Sequence, residues 1–316
     1  MGIIYNFNQV APLFILAVFG YYIKKWGIAG TEFTESIAEY NITILLPCVI
    51  IRAMCIDMTP ERWVTGYKSL LLGFAALVLV MLLSYVVTKP LRGSKPTKAI
   101  MWCSLVFCNY SLVGFVTVQN LYGAEAMFYT NLALIPFIIG VYTIQIIAIQ
   151  SSVSDGPVNG AAIGKMLLSP PIIACGIGLL LFITGLRPPT LVANTIDMLA
   201  DSMTAMGMIQ IGMALYGKIS LDFITDARTY LLTFVKLFVV PLAVVLMLRA
   251  FGLSGYAAAG PALCLSAPVS VMLTIQSLKY GGDSEFSAKL LIFSSLASVL
   301  TIPLMAYILQ QIAGVG

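Results

Sequence analysis

Residues 69–88 read SLLLGFAALVLVMLLSYVVT and contain no charged side chain. A helix needs about 20 predominantly apolar residues to cross the hydrocarbon core of a bilayer, so this run is long enough to span one. The whole chain is similarly apolar: of its 316 residues, 60% are hydrophobic and 9% are charged, and the mean hydropathy is +0.98. Soluble domains carry roughly 25% charged residues. The sequence therefore predicts an all-α polytopic membrane protein, and its composition excludes a soluble enzyme and a disordered chain.

Two further classes of protein are excluded by the same arithmetic. A net charge of +4 supplies no basic face for nucleic acid, so no nucleic-acid partner is expected. The long apolar runs differ from the short alternating segments of a membrane β-barrel. The chain has no His, and its six Cys lie in apolar runs, so no zinc or haem site through His, no metal and no other cofactor is expected. The lipid bilayer is the expected surrounding.

Charged residues, Gly and Pro divide the chain into ten predicted transmembrane helices. These spans are 9–23, 34–55, 67–88, 98–120, 127–149, 166–184, 191–216, 228–250, 257–278 and 287–310. The N-terminal run is interpreted as the first span and not as a cleavable signal, because Lys24 and Lys25 follow its apolar residues instead of preceding them.

The polar stretch 151–165 is predicted to be a short cytoplasmic linker between two halves, 1–150 and 166–316. More Lys and Arg follow the odd-numbered spans than the even-numbered ones. The positive-inside rule then predicts that the odd-numbered loops are cytoplasmic and that both termini lie outside a plasma or inner cell membrane.

The two halves resemble each other. Val118-Gln119-Asn120-Leu121 is similar to Ile275-Gln276-Ser277-Leu278, and Gly123-Ala124-Glu125-Ala126 is similar to Gly281-Gly282-Asp283-Ser284. Each half has five predicted spans, and an odd number makes the second half enter the membrane from the opposite side. The sequence therefore predicts two inverted five-helix repeats, an architecture of secondary transporters.

Two spans in matching positions contain helix-breaking residues. Span 4 has Asn109, Ser111 and Gly114, and span 9 has Pro268 followed by Ser270. Pro268 removes a backbone donor and clashes with the preceding turn, so its helix must break or kink. If the broken spans cross, half-helix N-termini can bind an anionic substrate without a basic side chain. The candidate substrate-binding residues there are Asn109, Ser111, Pro268 and Ser270. The alternative is that Pro268 only kinks a helix and Asn109 makes a packing hydrogen bond.

Few charges lie inside the predicted spans. Lys236 is deep in span 8, and Asp197 and Asp201 share one face of span 7. Buried charges are costly and usually have a partner or a task. We hypothesise that Asp201 pairs with Lys236 and that both support ion coupling. The alternative for the two Asp is a position in the headgroups. Arg52 at the end of span 2 is expected to extend to the membrane surface.

Five weak motifs in order resemble the auxin efflux carrier family, which includes bacterial homologues described as malate or organic-acid permeases. The residues that match the family pattern are Leu46-Pro47 in span 2, Asn109, Gly114 and Tyr122-Gly123 in span 4, Leu199-Ala200-Asp201 and Gly212 in span 7, Lys236 and Pro241 in span 8, and Ala267-Pro268 and Tyr280 in span 9. The resemblance runs over nearly the whole chain.

The resemblance implies a scaffold domain from spans 1, 2, 6 and 7 and a transport domain from spans 3–5 and 8–10, with spans 4 and 9 crossing. It implies an elevator-type movement, a substrate at the crossing near Asn109, Pro268 and Pro47, and a homodimer. The sequence departs from the plant carriers at Cys108 and Val269 and lacks their long central loop. The resemblance therefore points to a small organic anion other than auxin.

Other functions stay open at this stage. A membrane-embedded enzyme would need a nucleophile or metal set that the spans do not offer, and a channel would need a continuous polar path. A sodium-coupled bile-acid-type symporter shares the ten-span plan and would use Gln119 and Gln276 at sodium sites. These two residues are alternatively structural hydrogen-bonding groups. Coupling to H⁺ is also open.

Overall fold

The computed structural model describes residues 3–154, 164, 167–217 and 226–315. Most of the predicted linker 151–165, together with Lys165 and Lys218, lies outside the described residues. The described chain is helical, and the one β-type pairing within it is an isolated antiparallel bridge between Cys108 and Val269.

The α-helices follow one another along the chain with few long connections. They are α1 (Ile3–Lys25), α2 (Thr31–Tyr40), α3 (Leu46–Met54), α4 (Pro60–Thr88), α5 (Lys95–Val106), α6 (Phe115–Tyr142), α7 (Ile144–Val153), α8 (Pro170–Thr184), α9 (Thr190–Leu215), α10 (Ala227–Phe234), α11 (Val240–Ala250), α12 (Tyr256–Leu265), α13 (Val271–Tyr280) and α14 (Ser284–Ala313).

Three π-helical turns interrupt this series. The first, Asn41–Leu45, joins α2 to α3; the second, Tyr110–Gly114, begins α6; and the third, Val235–Val239, joins α10 to α11. Single π turns are rare and occur mostly at functional sites. Each of these turns contains or directly follows a buried polar residue, namely Asn41, Asn109 or Lys236.

Seven helical segments among the described residues are long and apolar enough to cross a membrane. They coincide with predicted spans 1, 2, 3, 5, 7, 8 and 10, and predicted span 6 is the shorter apolar helix Pro170–Thr184. Predicted spans 4 and 9 are each built from shorter pieces separated by non-helical residues. The protein is therefore a multi-span helical membrane protein in which two membrane segments are discontinuous.

The segment Tyr110–Val153 extends over 44 residues, about twice the length that one crossing needs. It leaves helical geometry at Gly123, where φ is 75°. This left-handed conformation costs Gly little and is unfavourable for residues with a Cβ. Gly123 is therefore suited to end one helical piece and begin the next.

Close packing holds α1 along α9. Added Cβ atoms at Gly20 and Gly212 would collide with the backbones of Ile209 and Ala17, respectively. Small residues permit this approach in a membrane, where helices associate through packing and hydrogen bonds and not through an apolar driving force. The pair α1 and α9 therefore forms one tightly packed unit.

Candidate functional site

The non-helical parts of the two discontinuous segments meet in the interior. The backbone N–H of Asn109 donates to the carbonyl of Pro268 at 2.8 Å, and Cys108 and Val269 form the isolated antiparallel bridge. Asn109 and Val269 are 4% and 1% exposed. Backbone groups that have left a helix need other partners when no water reaches them. Here the Pro268 carbonyl is bonded by the other segment, and the Val269 N–H donates to the Ser294 hydroxyl of α14 at 3.0 Å.

The chain then returns to helical geometry on each side of this crossing. Asn109 caps the second π turn, and its side-chain oxygen accepts from the N–H of Leu112 at 3.4 Å. Ser270 caps α13, and its hydroxyl accepts from the N–H of Met272 at 3.2 Å. Asn and Ser are favoured caps because they satisfy the free N–H groups of a first turn. The positive ends of two helical pieces therefore begin at the crossing.

Both caps line one small cavity. Its wall includes the crossing residues Asn109, Ser111 and Ser270 and, on the opposite side, Gln210 of α9 and Leu46 of α3. Among the described residues that line this cavity, none carries a charge. Two helix N-termini and several polar side chains converging on one point form an arrangement that binds anions.

The cavity is too small for an organic acid as it stands. Its volume is about 30 Å³, whereas one water molecule needs about 10–15 Å³ in the same measure. A carboxylate with a carbon skeleton would require the wall to move. Because the wall opposite the crossing comes from α3, α9 and the first π turn, separation of these elements from the crossing would enlarge the space.

A second, apolar cavity of about 260 Å³ lies on another side of the crossing. Val113 and Pro268 contribute to its wall, which is completed by α1, α9 and α14, including Phe14, Met208 and Leu296. The structure thus separates the predicted site residues. Asn109, Ser111 and Ser270 share the polar cavity, whereas Pro268 faces the apolar one and joins the polar site through its backbone carbonyl.

Gly114 permits the close approach at the crossing. A Cβ at this position would collide with the Cys264 side chain at the end of α12. Cys108 donates through its thiol to the Cys264 carbonyl at 3.5 Å. Gly114 itself has helical backbone angles, with φ of −61° and ψ of −58°, so the prediction of a break at this residue is wrong. The non-helical residues are 107–109, and Gly114 is instead a contact point between the two halves of the chain.

Three other predicted residues lie outside this cavity. Pro47 is half-buried in the first turn of α3, and its neighbour Leu46 reaches the cavity instead. Gln119 is half-buried on α6 and lines neither cavity. Gln276 is buried and bonds to α6 and α7: it accepts from Gln145 at 2.9 Å and donates to the Val141 carbonyl at 3.1 Å. These contacts agree with the alternative interpretation of Gln276 as a structural hydrogen-bonding residue.

The hypothesised pair of Asp201 and Lys236 is wrong. Asp201 forms an ion pair with Arg52 at 2.5 Å, and its side chain is 75% exposed. Lys236 is fully buried and donates to the carbonyl of Leu105 at 3.0 Å. Helix spacing could not reveal these partners, because Arg52 and Leu105 belong to distant parts of the sequence.

The sequence analysis missed three residues around the cavity. Asn41 of the first π turn donates to Gln210 at 2.6 Å, and Gln210 and Tyr142 line the cavity. Asn41 and Gln210 are 0% and 5% exposed. The sequence does contain a signal for Asn41 and Gln210, because a side-chain amide inside an apolar span is unusual and normally has a hydrogen-bond partner. The sequence does not show which two amides bond to each other.

The chain is similar to known membrane transport proteins over nearly its whole length. A family model described as "Membrane transport protein" matches the chain twice in tandem, over residues 5–156 and 156–306. An "Uncharacterized transporter" of Methanothermobacter thermautotrophicus (strain Delta H) is 22% identical over 324 aligned positions, which cover 96% of this chain and 98% of that protein.

Proposed function

Because the chain belongs to the membrane transport protein family, which includes the auxin efflux carriers, we propose that it is a secondary carrier of a small organic anion. The anion binds at the crossing of the segments around Asn109 and Pro268. The observation that carries this proposal is the pair of capped helix starts, at Asn109 and Ser270, that face one cavity without a basic side chain. Such N-termini stabilise a carboxylate through backbone N–H groups.

The proposed architecture has ten spans in two inverted five-helix repeats. Two consecutive matches to one family model support a duplicated chain, and the paired discontinuities support breaks at equivalent places. Spans 1, 2, 6 and 7 form the scaffold, and spans 3–5 and 8–10 form the transport domain. The close packing of α1 along α9 is what a rigid scaffold requires.

The proposed movement is of the elevator type. It is supported by the position of the polar cavity, which has crossing residues on one side and the scaffold residues Leu46 and Gln210 on the other. Displacement of the crossing along the scaffold would open this small space to one side of the membrane and then to the other. We further propose a homodimer in the cell membrane with both termini outside.

Uptake into proteoliposomes tests the function. The purified protein is reconstituted and offered labelled monocarboxylates and dicarboxylates, with sodium and proton gradients imposed separately. A carrier gives saturable uptake and counter-exchange, whereas a channel does not exchange. Dependence on sodium would favour the bile-acid-type symporter, and indifference to sodium would remove it. Failure of every carboxylate to enter or exchange would contradict the proposed substrate class.

A further inference from the structure

Lys236 places a basic side chain in the interior of the described part of the protein. Its side chain is fully buried in the third π turn, and its ammonium donates to the Leu105 carbonyl at 3.0 Å. Within the described residues no carboxylate lies at salt-bridge distance from it. The ionisable groups near the ammonium are the thiols of Cys108 and Cys264.

The partner of the ammonium is the end of a half-helix. Leu105 lies in the last turn of α5, which ends at Val106 just before the crossing. The final carbonyls of a helix lack intrahelical partners and carry the negative end of the helix dipole. A positive charge is favoured there. Lys236 therefore ties α10 and α11 to the broken segment, and these parts would move together.

Lys236 is absent from the walls of the three cavities that Asn109 or Pro268 lines, so its ammonium does not contact the proposed substrate cavity. It lies near the crossing through Leu105 and Cys108. In an interior of low dielectric constant, two charges interact much more strongly than they do in water. The field of the ammonium would favour an anion at Asn109 without a direct contact.

We propose that Lys236 is the built-in counter-charge for the transported anion, and that it matches a substrate with one negative charge. This inference rests on the proposed carrier function. A monocarboxylate would neutralise the buried cation, so the loaded transport domain would cross the membrane without net charge. A dicarboxylate would leave one negative charge uncompensated, and the empty domain would return with one positive charge.

Exchange measurements under an imposed membrane potential test this charge balance. Proteoliposomes hold unlabelled lactate or succinate on one side and the same labelled compound on the other, and potassium with valinomycin sets the potential. Exchange by the carrier uses only the loaded domain in both directions, and the slow passive flux into protein-free liposomes is subtracted. One uncompensated charge moved through about 100 mV shifts the distribution between the two sides up to about 50-fold.

For the unmodified protein, the lactate exchange rate should change by less than about twofold with potential, whereas succinate exchange should change several-fold. Lys236→Met should make lactate exchange dependent on potential. Lys236→Arg keeps the charge and should behave like the unmodified protein. The control Arg249→Met removes an exposed charge from the end of the same span and should leave lactate exchange insensitive.

Three results would overturn the inference: lactate exchange by the unmodified protein that depends on potential as strongly as succinate exchange, lactate exchange by Lys236→Met that stays insensitive to potential, or Lys236→Arg behaving as Lys236→Met. The comparison of lactate with succinate needs no variant, so it tests the inference even if Lys236→Met does not fold. Absence of exchange with both probes is a different result, which counts against the carrier function itself.

Discussion

The amide of Asn109 and the carbonyl of Pro268 are joined by a backbone hydrogen bond of 2.8 Å. This bond connects the two non-helical segments. Asn109 caps the second π turn, and Ser270 caps α13. One contact thus fixes the relative position of two positive helix ends.

Asn109→Ala is expected to reduce anion uptake by about 10- to 100-fold, since a hydrogen bond to a charged group is worth about 1.5–3 kcal/mol. The alanine also removes the cap of the second π turn. Initial uptake rates in proteoliposomes measure the effect. Asn120→Ala is the matched control, because the Asn120 side chain donates only to Val116 of its own helix. Equal uptake by both variants would locate the substrate elsewhere.

Pro268→Ala should strongly reduce transport while the protein still inserts in the membrane. Alanine restores a backbone N–H and removes the ring that clashes with the preceding turn, so the segment between α12 and α13 could become helical and withdraw the carbonyl that Asn109 uses. Uptake and membrane yield are measured together. The control is Pro12→Ala, at an exposed position inside α1. Full transport by Pro268→Ala would mean that the crossing does not require proline.

Gln210→Leu should weaken substrate binding from the scaffold side, because Gln210 lines the polar cavity opposite the crossing and accepts from Asn41. Leucine would also leave the buried Asn41 amide unpaired, at a cost of about 1–3 kcal/mol. We expect a higher KM in saturation uptake, with some loss of stability. Gln311→Leu changes an exposed glutamine of α14 and serves as the control. An unchanged KM would exclude Gln210 from the site.

Gly114→Ala should destabilise the protein, because the added methyl group collides with Cys264. Overpacking of this kind costs about 1–3 kcal/mol. Thermal unfolding in detergent, followed by tryptophan fluorescence, should give a lower Tm. Gly176→Ala provides the comparison, since no other group lies near the position of its added carbon. A Tm equal to that of the unmodified protein would show that the second π turn and α12 can move apart without loss of stability.

Several features could be predicted from the sequence because they depend on local composition. Long apolar runs predicted membrane helices, and the helix-disfavouring residues near Asn109 and Pro268 predicted interruptions that the structure contains. Asn109 and Ser270 are candidate site residues because they lie beside the two predicted breaks. These signals need no knowledge of which segments are neighbours.

Partnership between distant residues could not be predicted in the same way. Asp201 pairs with Arg52, and Lys236 donates to the Leu105 carbonyl. The predicted pair of Asp201 and Lys236 is therefore wrong. Asn41 and Gln210 were overlooked, although they form a buried pair beside the cavity. Pro47 was expected at the substrate, whereas Leu46 reaches the cavity wall. Each error concerns the direction of a side chain or the identity of its neighbour.

The sequence by itself determined that this chain crosses a membrane repeatedly and that two segments cannot remain continuous helices, because apolar length and proline geometry act within a few residues. Only the tertiary structure decided that the two interruptions bond to each other, that Gly114 contacts Cys264 and that Lys236 donates to the Leu105 carbonyl next to the crossing. In a bilayer, broken backbone and buried polar groups must find partners within the protein, and packing selects those partners from all parts of the chain.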